Sequence, residues 1–279
     1  MAQLADILRT TEELWPRSGA EEWDAVGLVV GAPEDEVARV LLAVDAVQAT
    51  AAEAVDSAAQ LLIAHHPLLM RGVTSVAADR YKGAVVTRLI RGGCALLAAH
   101  TNADVVDEGT SAALANALGL TDVEPIAEAR NGIGGIGRTG VLASPIPLRK
   151  LAERVAAVVP ATAVGVRVAG DADALIRTVA VCGGAGDSLL AHPRVAASDV
   201  YITSDLRHHP ASEAREQALL SGGPALIDVS HWASESLWLE RAAAQLRERH
   251  PDLDVVVSSI RTDPWDFLVT TDAQPKEKQ

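Results

Sequence analysis

Short apolar runs, each leading into a polar turn and then a helix-period pattern, recur along the chain and predict an α/β fold. In the first half the pattern predicts strands over residues 40–44, 61–64 and 95–99, with helices over 49–59 and 82–91. The opening MAQLADILRTTEELW spaces its apolar positions as an amphipathic helix does. Its internal acids and its lack of a basic start are unlike a signal peptide. Residues 111–118 form an Ala/Leu helix pattern that Gly119 stops, as a glycine just past a helix end does.

The texture then changes. Residues 131–140 are rich in glycine and 143–147 carry two prolines, which places a lobe boundary just ahead of them. A second series comes next, with a helix at 147–158, strands at 164–168 and 178–181, and a glycine-rich turn at 182–188. It continues with a strand ending at Thr203, a helix at 213–220, a strand at 226–229 and a long helix at 235–248. The expected division is residues 1–128 with 228–279 as the first α/β lobe and 129–227 as the second. The tail, residues 270–279, reads as disordered.

Composition says what fills these elements. Hydrophobic residues make up 49% of the 279 positions and aromatics only 3%, so the interior must be built of Ala, Val, Leu and Ile. Such a mixture suits buried parallel strands under small-residue helices. A formal charge of −13 repels polyanions, so neither nucleic acid nor an acidic membrane surface is an expected partner. No stretch approaches the roughly 20 apolar residues of a bilayer span. Only Cys94 and Cys182 are present, without disulfide or thiolate-zinc spacing, so a reducing, cytoplasmic location is expected.

Three apolar runs end in histidine, two of them with a carboxylate following: LLIAHHP, ALLAAHTNAD and ALIDVSHWASE. The C-terminal edge of strands in an open α/β sheet is where ligands sit, so these segments can meet. His65 and His66 would face opposite ways on a regular strand, so the strand is expected to stop before them, with Pro67 favouring the break. His231 and Glu235 are four apart and share a helix face if Ser230 caps a helix. Asp104 adds a hard oxygen donor to the imidazoles. Each motif alone has a bland alternative: loop histidines, a surface His–Glu pair, or a capping aspartate. Together they give three histidines and two carboxylates for two divalent ions, with His100 left as a general base or orienting group. Asp45, ending another strand, is placed at the mouth.

Three other motifs carry less. Gly132, Gly134 and Gly137 match G-x-G-x-x-G, but the RTGVLASP segment after them reads as a strand, so a dinucleotide site fails its context test. The turn at 182–188 could offer amides to an anion, although a tight structural turn suits it better. A second HHP at 208–210 competes for metal, but Asp205 is its sole nearby carboxylate.

The ordered set WDAVGLVVG, IAHHPLL, AAHTNAD, VCGGAGDS, YITSDLRHH and SHWASE resembles the dinuclear-metal, NGG-one-interacting-factor-three-like family, often labelled GTP cyclohydrolase 1 type 2 homologs. The resemblance covers nearly the whole chain. It implies two related α/β lobes with mixed sheets and a metal site at their interface. It also implies ligands at His65, His66, Asp104, His231 and Glu235, with Glu235 bridging, a pocket-lining role for His209, and a toroidal homohexamer. Longer members carry a middle insertion for which this chain is too short. Ala25, Ser230 and Ser204 stand where Asn, Gly and Gly are usual, which touches pocket shape but no ligand.

The expected function is therefore a metal-dependent hydrolase acting on a small anionic, nucleotide-like or phosphorylated compound, with zinc, iron or manganese as the ion. Two divalent ions against two carboxylates leave about +2 at the site, which attracts anions. A non-catalytic metal-binding, chaperone or regulatory protein is the alternative, and a purely structural metal pair is a third reading.

Overall fold

The computed structural model describes residues 1–129, 132 and 134–270. Two mixed sheets with helices packed on their faces make it an α/β fold. The first has five strands in the order Asp254–Val257, Arg39–Asp45, Leu61–His66, Ala95–Ala98 and Gly27–Val30. Its first four strands are parallel and Gly27–Val30 closes the edge antiparallel. Alternate residues of a strand face opposite sides. Val40, Leu42, Leu61 and Ile63 therefore join one core with Leu4 and Ile7 of helix Leu4–Leu14. Leu41, Ala43, Leu62 and Ala64 join a second core, with Ala51 and Ala54 of helix Gln48–Asp56 and Val85 and Leu89 of helix Tyr81–Arg91.

The other sheet has six strands, in the order Arg167–Ala169, Ala225–Val229, Val200–Ser204, Leu175–Ala185, Arg138–Pro147 and Thr121–Glu124. Leu175–Ala185, Val200–Ser204 and Ala225–Val229 run parallel, and the remaining pairings are antiparallel. Helix His231–Arg249 packs against strands of both sheets. It gives Trp238, Leu239, Ala242, Ala243 and Leu246 to the first core, and Leu237 lies against the core of the second sheet. Trp238 is fully buried and meets Trp15 edge to face at 5.1 Å. A buried aromatic contact of this kind contributes about 0.5–1.5 kcal/mol beyond area burial.

Most predicted elements lie within a few residues of the observed ones. Gly119 ends helix Thr110–Ala117 with φ of +69°, a conformation glycine adopts without steric cost. Three differences matter. Strand Leu61–His66 does not stop at Ala64 but continues its parallel ladder to an Asp45–His66 pair. Strand Leu175–Ala185 runs through most of the expected 182–188 turn, its pairing with Val200–Ser204 resuming at Ala185 after a register shift that spans the glycines. Helix His208–Ser221 starts earlier than predicted, and helix His231–Arg249 starts directly after Ser230, the cap that the His231–Glu235 spacing called for, and not at 235. Histidine is a weak helix former, so the sequence hid the start at His208.

Edge strands Gly27–Val30 and Asp254–Val257 went unpredicted. The second sheet draws in Thr121–Glu124 and the whole of Ala225–Val229, on either side of the expected divisions at 128 and 227. Residues 271–279 of the expected disordered tail, and 130, 131 and 133 of the glycine-rich stretch, lie outside the described residues. No helix of the described residues is long and apolar enough to cross a membrane.

Candidate metal centre

The parallel strands deliver their C-terminal ends to one place, and helix His231–Arg249 begins beside them. His65 and His66 do face opposite sides of the sheet, as their strand requires. At the very end of the ladder the two rings nevertheless reach a common point, with centroids 5.2 Å apart. His65 packs against Trp238 at 5.4 Å, on the side of helix His231–Arg249. The expected chain break was therefore unnecessary, because imidazoles can lean past a strand end that has no further residues to shield them.

Glu235, buried and one turn into that helix, is the hub. Its Oε1 lies 2.9 Å from His231 Nε2 and 3.5 Å from His65 Nε2, and its Oε2 lies 2.9 Å from His66 Nε2. Asp104 Oδ1 lies 3.6 Å from His65 Nε2 and accepts a hydrogen bond from Thr110 Oγ1 at 2.5 Å. The Asp104 loop is pinned by the buried Arg138 guanidinium, which donates to the carbonyls of Val106, Gly135 and Gly137. Ser230 caps the helix by accepting from the Ala233 amide, and its hydroxyl donates to Asp263.

Four imidazoles share one arrangement, in which Nδ1 is occupied by an oxygen acceptor and Nε2 is turned inward. His65 Nδ1 donates to the Ala99 carbonyl at 2.8 Å, and His66 Nδ1 to Asp45 at 2.7 Å. His231 Nδ1 donates to Asp205 at 2.7 Å, and His100 Nδ1 to Asp24 at 2.9 Å. A carbonyl or carboxylate only accepts, so each Nδ1 carries its proton and each Nε2 is the free donor atom. Metal-binding histidines are oriented in this way. Donor atoms of His66, His231 and Glu235 lie within 4.8 Å of one another, as do those of His65, His66 and His100, and such a His/Glu cluster could hold a metal ion.

The chemistry of the donors fits divalent ions. Nitrogen and hard oxygen are combined without thiolate. His65 Nε2 and Glu235 Oε2 are buried with no hydrogen-bond partner, although Oε2 is close to His66 Nε2 in an orientation that makes no hydrogen bond. A buried polar atom without a partner is costly unless something binds it. Gly184, with φ of +70°, sits where a Cβ would come within 2.5 Å of Glu235 Oε1 and 3.3 Å of His231 Nε2. Only a glycine lets the second sheet approach this closely.

Without an ion, the imidazoles are the counter-charges of Glu235. Burial is the strongest single influence and works against the charged rings, but Glu235 together with Asp45 at His66 and with Asp205 at His231 outweighs it and holds His66 up at about 11 and His231 at about 10. His65 is raised by Glu235 and Asp104 against its own burial. The three rings hold Glu235 well below the usual carboxylate range although burial pushes the other way. Asp24 is likewise lowered against burial, by its bonds to His100 and Thr101.

A cavity of about 1280 Å³ opens over the centre, lined among others by Asp45, His66, His100, Asp104, Asp205, His231 and Glu235. His65, His66, His100, Asp104, His231 and Glu235 are thus brought together, with Asp45 at the cavity wall behind His66. The second HHP is not. His208 and His209 are exposed at a helix start, and His209 does not line the cavity, contrary to expectation, because the helix turns it to the outside. Asp24, Asp205 and Gly184 were not recognised in the sequence as parts of the site. Each lies within a motif of the ordered set, but nothing in local spacing links it to its distant partner.

The profile of the Duf34/NIF3 (NGG1p interacting factor 3) family matches residues 2–264. A Streptomyces coelicolor protein named GTP cyclohydrolase 1 type 2 homolog is 52% identical over 272 residues, covering 95% of this chain and 94% of the relative. A Mycobacterium leprae protein of the same name is 36% identical over 374 aligned positions, covering 95% and 96%. That alignment is longer than this chain, so the mycobacterial relative carries residues absent here. Among solved structures, a Bacillus cereus protein related to NIF3 superimposes with a TM-score of 0.87 at 23% identity, covering 96% and 99%. A Staphylococcus aureus hypothetical protein does so with a TM-score of 0.86 at 27% identity, covering 95% and 99%. With the profile spanning nearly its whole length and a relative this similar along it, the chain belongs to the Duf34/NIF3 (NGG1p interacting factor 3) family.

Proposed function

We propose that this protein is a dinuclear metal-dependent hydrolase of a small nucleotide-like or phosphorylated compound, working in the cytoplasm as a toroidal homohexamer. The carrying observation is the convergence of four Nδ1-anchored imidazoles and two carboxylates on one centre beneath the cavity. His65 and Asp104 with Glu235 would hold one ion, and His66 and His231 with Glu235 the other, Glu235 bridging. Zinc, iron or manganese there would supply Lewis acidity and activate water for hydrolysis. His100, fixed by Asp24, turns Nε2 toward the same space and is placed to take or return a proton. The names carried by the relatives favour a nucleotide-like substrate.

The charge at this site differs from the sequence expectation. Two divalent ions are met by Asp104 and Glu235 and also by Asp24, Asp45 and Asp205, leaving about one negative charge with neutral imidazoles. An anionic group would therefore be drawn by direct contact with the ions or with Arg167 on the cavity wall, not by a long-range field. The test is elemental analysis of protein purified without added metal, followed by turnover and melting before and after chelation. Two ions per chain, with turnover lost on chelation and by His231→Ala, are expected. Equal turnover by that variant refutes hydrolysis at this centre, and melting that falls while no compound is ever turned over indicates a structural metal pair.

A further inference from the structure

The chain has five tryptophans, two tyrosines and one phenylalanine. Trp15 and Trp238 are buried in the first core. The other three, Trp23, Trp232 and Trp265, all line the cavity over the candidate metal centre. In so aromatic-poor a protein, three of five indoles thus line one cavity, Trp232 also packing against the first core and Trp23 and Trp265 standing clear of it. Trp23 and Trp265 keep 59% and 62% of their surface open, which is a large apolar exposure for a residue usually covered.

These indoles are not loosely hung. Trp23 meets His100 edge to face at 5.8 Å and is followed by Asp24, which that histidine grips. Trp265 donates its amide to Asp263 at 3.1 Å, and Asp263 in turn accepts from Ser230, the cap of the helix bearing His231 and Glu235. Trp232 directly follows His231. The wall that an entering molecule meets is therefore fixed to the same elements as the imidazoles.

From this placement we infer that the cavity carries a subsite for a flat heteroaromatic ring, stacked on the indole wall with its polar edge toward the metal centre. Indole faces favour flat π systems over saturated chains, and stacking is tolerant of ring identity. With no net positive charge at the loaded centre to steer ligands from a distance, the indole wall adds contact area that an uncharged flat ring can use. At about 1280 Å³ the cavity has room for a nucleoside-sized molecule. The inference deepens the hydrolase reading and rests on it only for the direction in which the ring's polar edge points.

Isothermal titration of zinc-loaded protein with guanosine, adenosine and ribose tests it. Nucleosides are expected to bind at least about tenfold tighter than ribose, and Trp265→Leu to weaken them about tenfold, with zinc content unchanged. Ribose binding as well as the nucleosides would overturn the subsite. So would a Trp23→Leu/Trp265→Leu double variant that retains zinc and still binds nucleosides as the parent does. Nucleoside binding by protein that takes up no zinc would uphold the ring subsite while removing the metal reading. Zinc uptake without nucleoside preference would do the reverse.

Discussion

The chain contains the tripeptide His-His-Pro twice, at 65–67 and at 208–210, and the fold treats the two copies in opposite ways. The first ends a buried parallel strand, with His65 inaccessible, Asp45 and Ala99 holding the rings from behind, and Glu235 in front. The second opens an exposed helix, its rings 5.2 Å apart, with no carboxylate bonded to either among the described residues. The difference teaches that a histidine pair becomes a candidate site through what lies behind and opposite it. An oxygen behind fixes the ring, and a buried carboxylate ahead supplies the reason for charge or metal to collect.

The largest effect that would break this comparison is expected from Glu235→Gln. Removing the hub carboxylate leaves three largely buried imidazoles with only Asp104, Asp45 and Asp205 behind or beside them, which costs about 3–5 kcal/mol in the metal-free protein. Both ions should be lost as well. Denaturant unfolding of chelated protein together with metal analysis reads both, and a variant that keeps two ions would end the hub role of Glu235.

Next comes His66→Ala, expected to weaken metal binding by more than the 10–100-fold typical of outer-sphere changes. Competition against a metal-binding dye measures it. Asp45→Asn, which touches only the back of His66, should fall within about 10–100-fold. If the two variants behaved alike, Asp45 would be more than an orienting group.

The pH dependence of the metal-free protein sharpens the contrast further. His66 and His231 are raised in the folded state, to about 11 and about 10, from an ordinary value near 6.5. Folding therefore binds protons tightly at these rings. The stability they contribute is fully present below about pH 6.5 and falls as pH rises, being lost once pH passes through about 10–11. Chelated protein should show this decline in melting temperature, and metal-loaded protein should not, since the ions replace the protons. A flat profile for the chelated form would contradict the charged-imidazole account.

The smallest effect belongs to the second copy. His209→Ala, on an exposed helix start, should change stability by no more than about 0.5 kcal/mol and leave metal content at the parental level. Calorimetry and metal analysis would check it, and a lost ion there would erase the distinction between the two tripeptides.

Much of this protein was legible in the linear order of its residues. Runs such as RVLLAVD and LLIAHH read as buried strands because two-sided burial demands continuous apolar residues. The five candidate ligands stood out because histidines and carboxylates recur just past such runs. What local pattern could not carry was the back side of each ring. Asp24 and His100 are 76 residues apart, and Asp205 and His231 are 26 apart, so no helical or strand period relates them. Gly184 looked like part of a turn, since a glycine pair does not say whether it bends the chain or admits a close neighbour.

The fold class, the aliphatic interior and the identities of the converging imidazoles and carboxylates were written in the linear order of residues, since these follow from short-range periodicity and residue chemistry. The tertiary structure alone decided which of the two histidine pairs faces a buried glutamate. It also decided which oxygens fix each ring and where Trp23, Trp232 and Trp265 gather. Those are relations between distant segments, set by how two sheets pack about helix His231–Arg249, and the pattern along a single segment has no record of what will lie across from it.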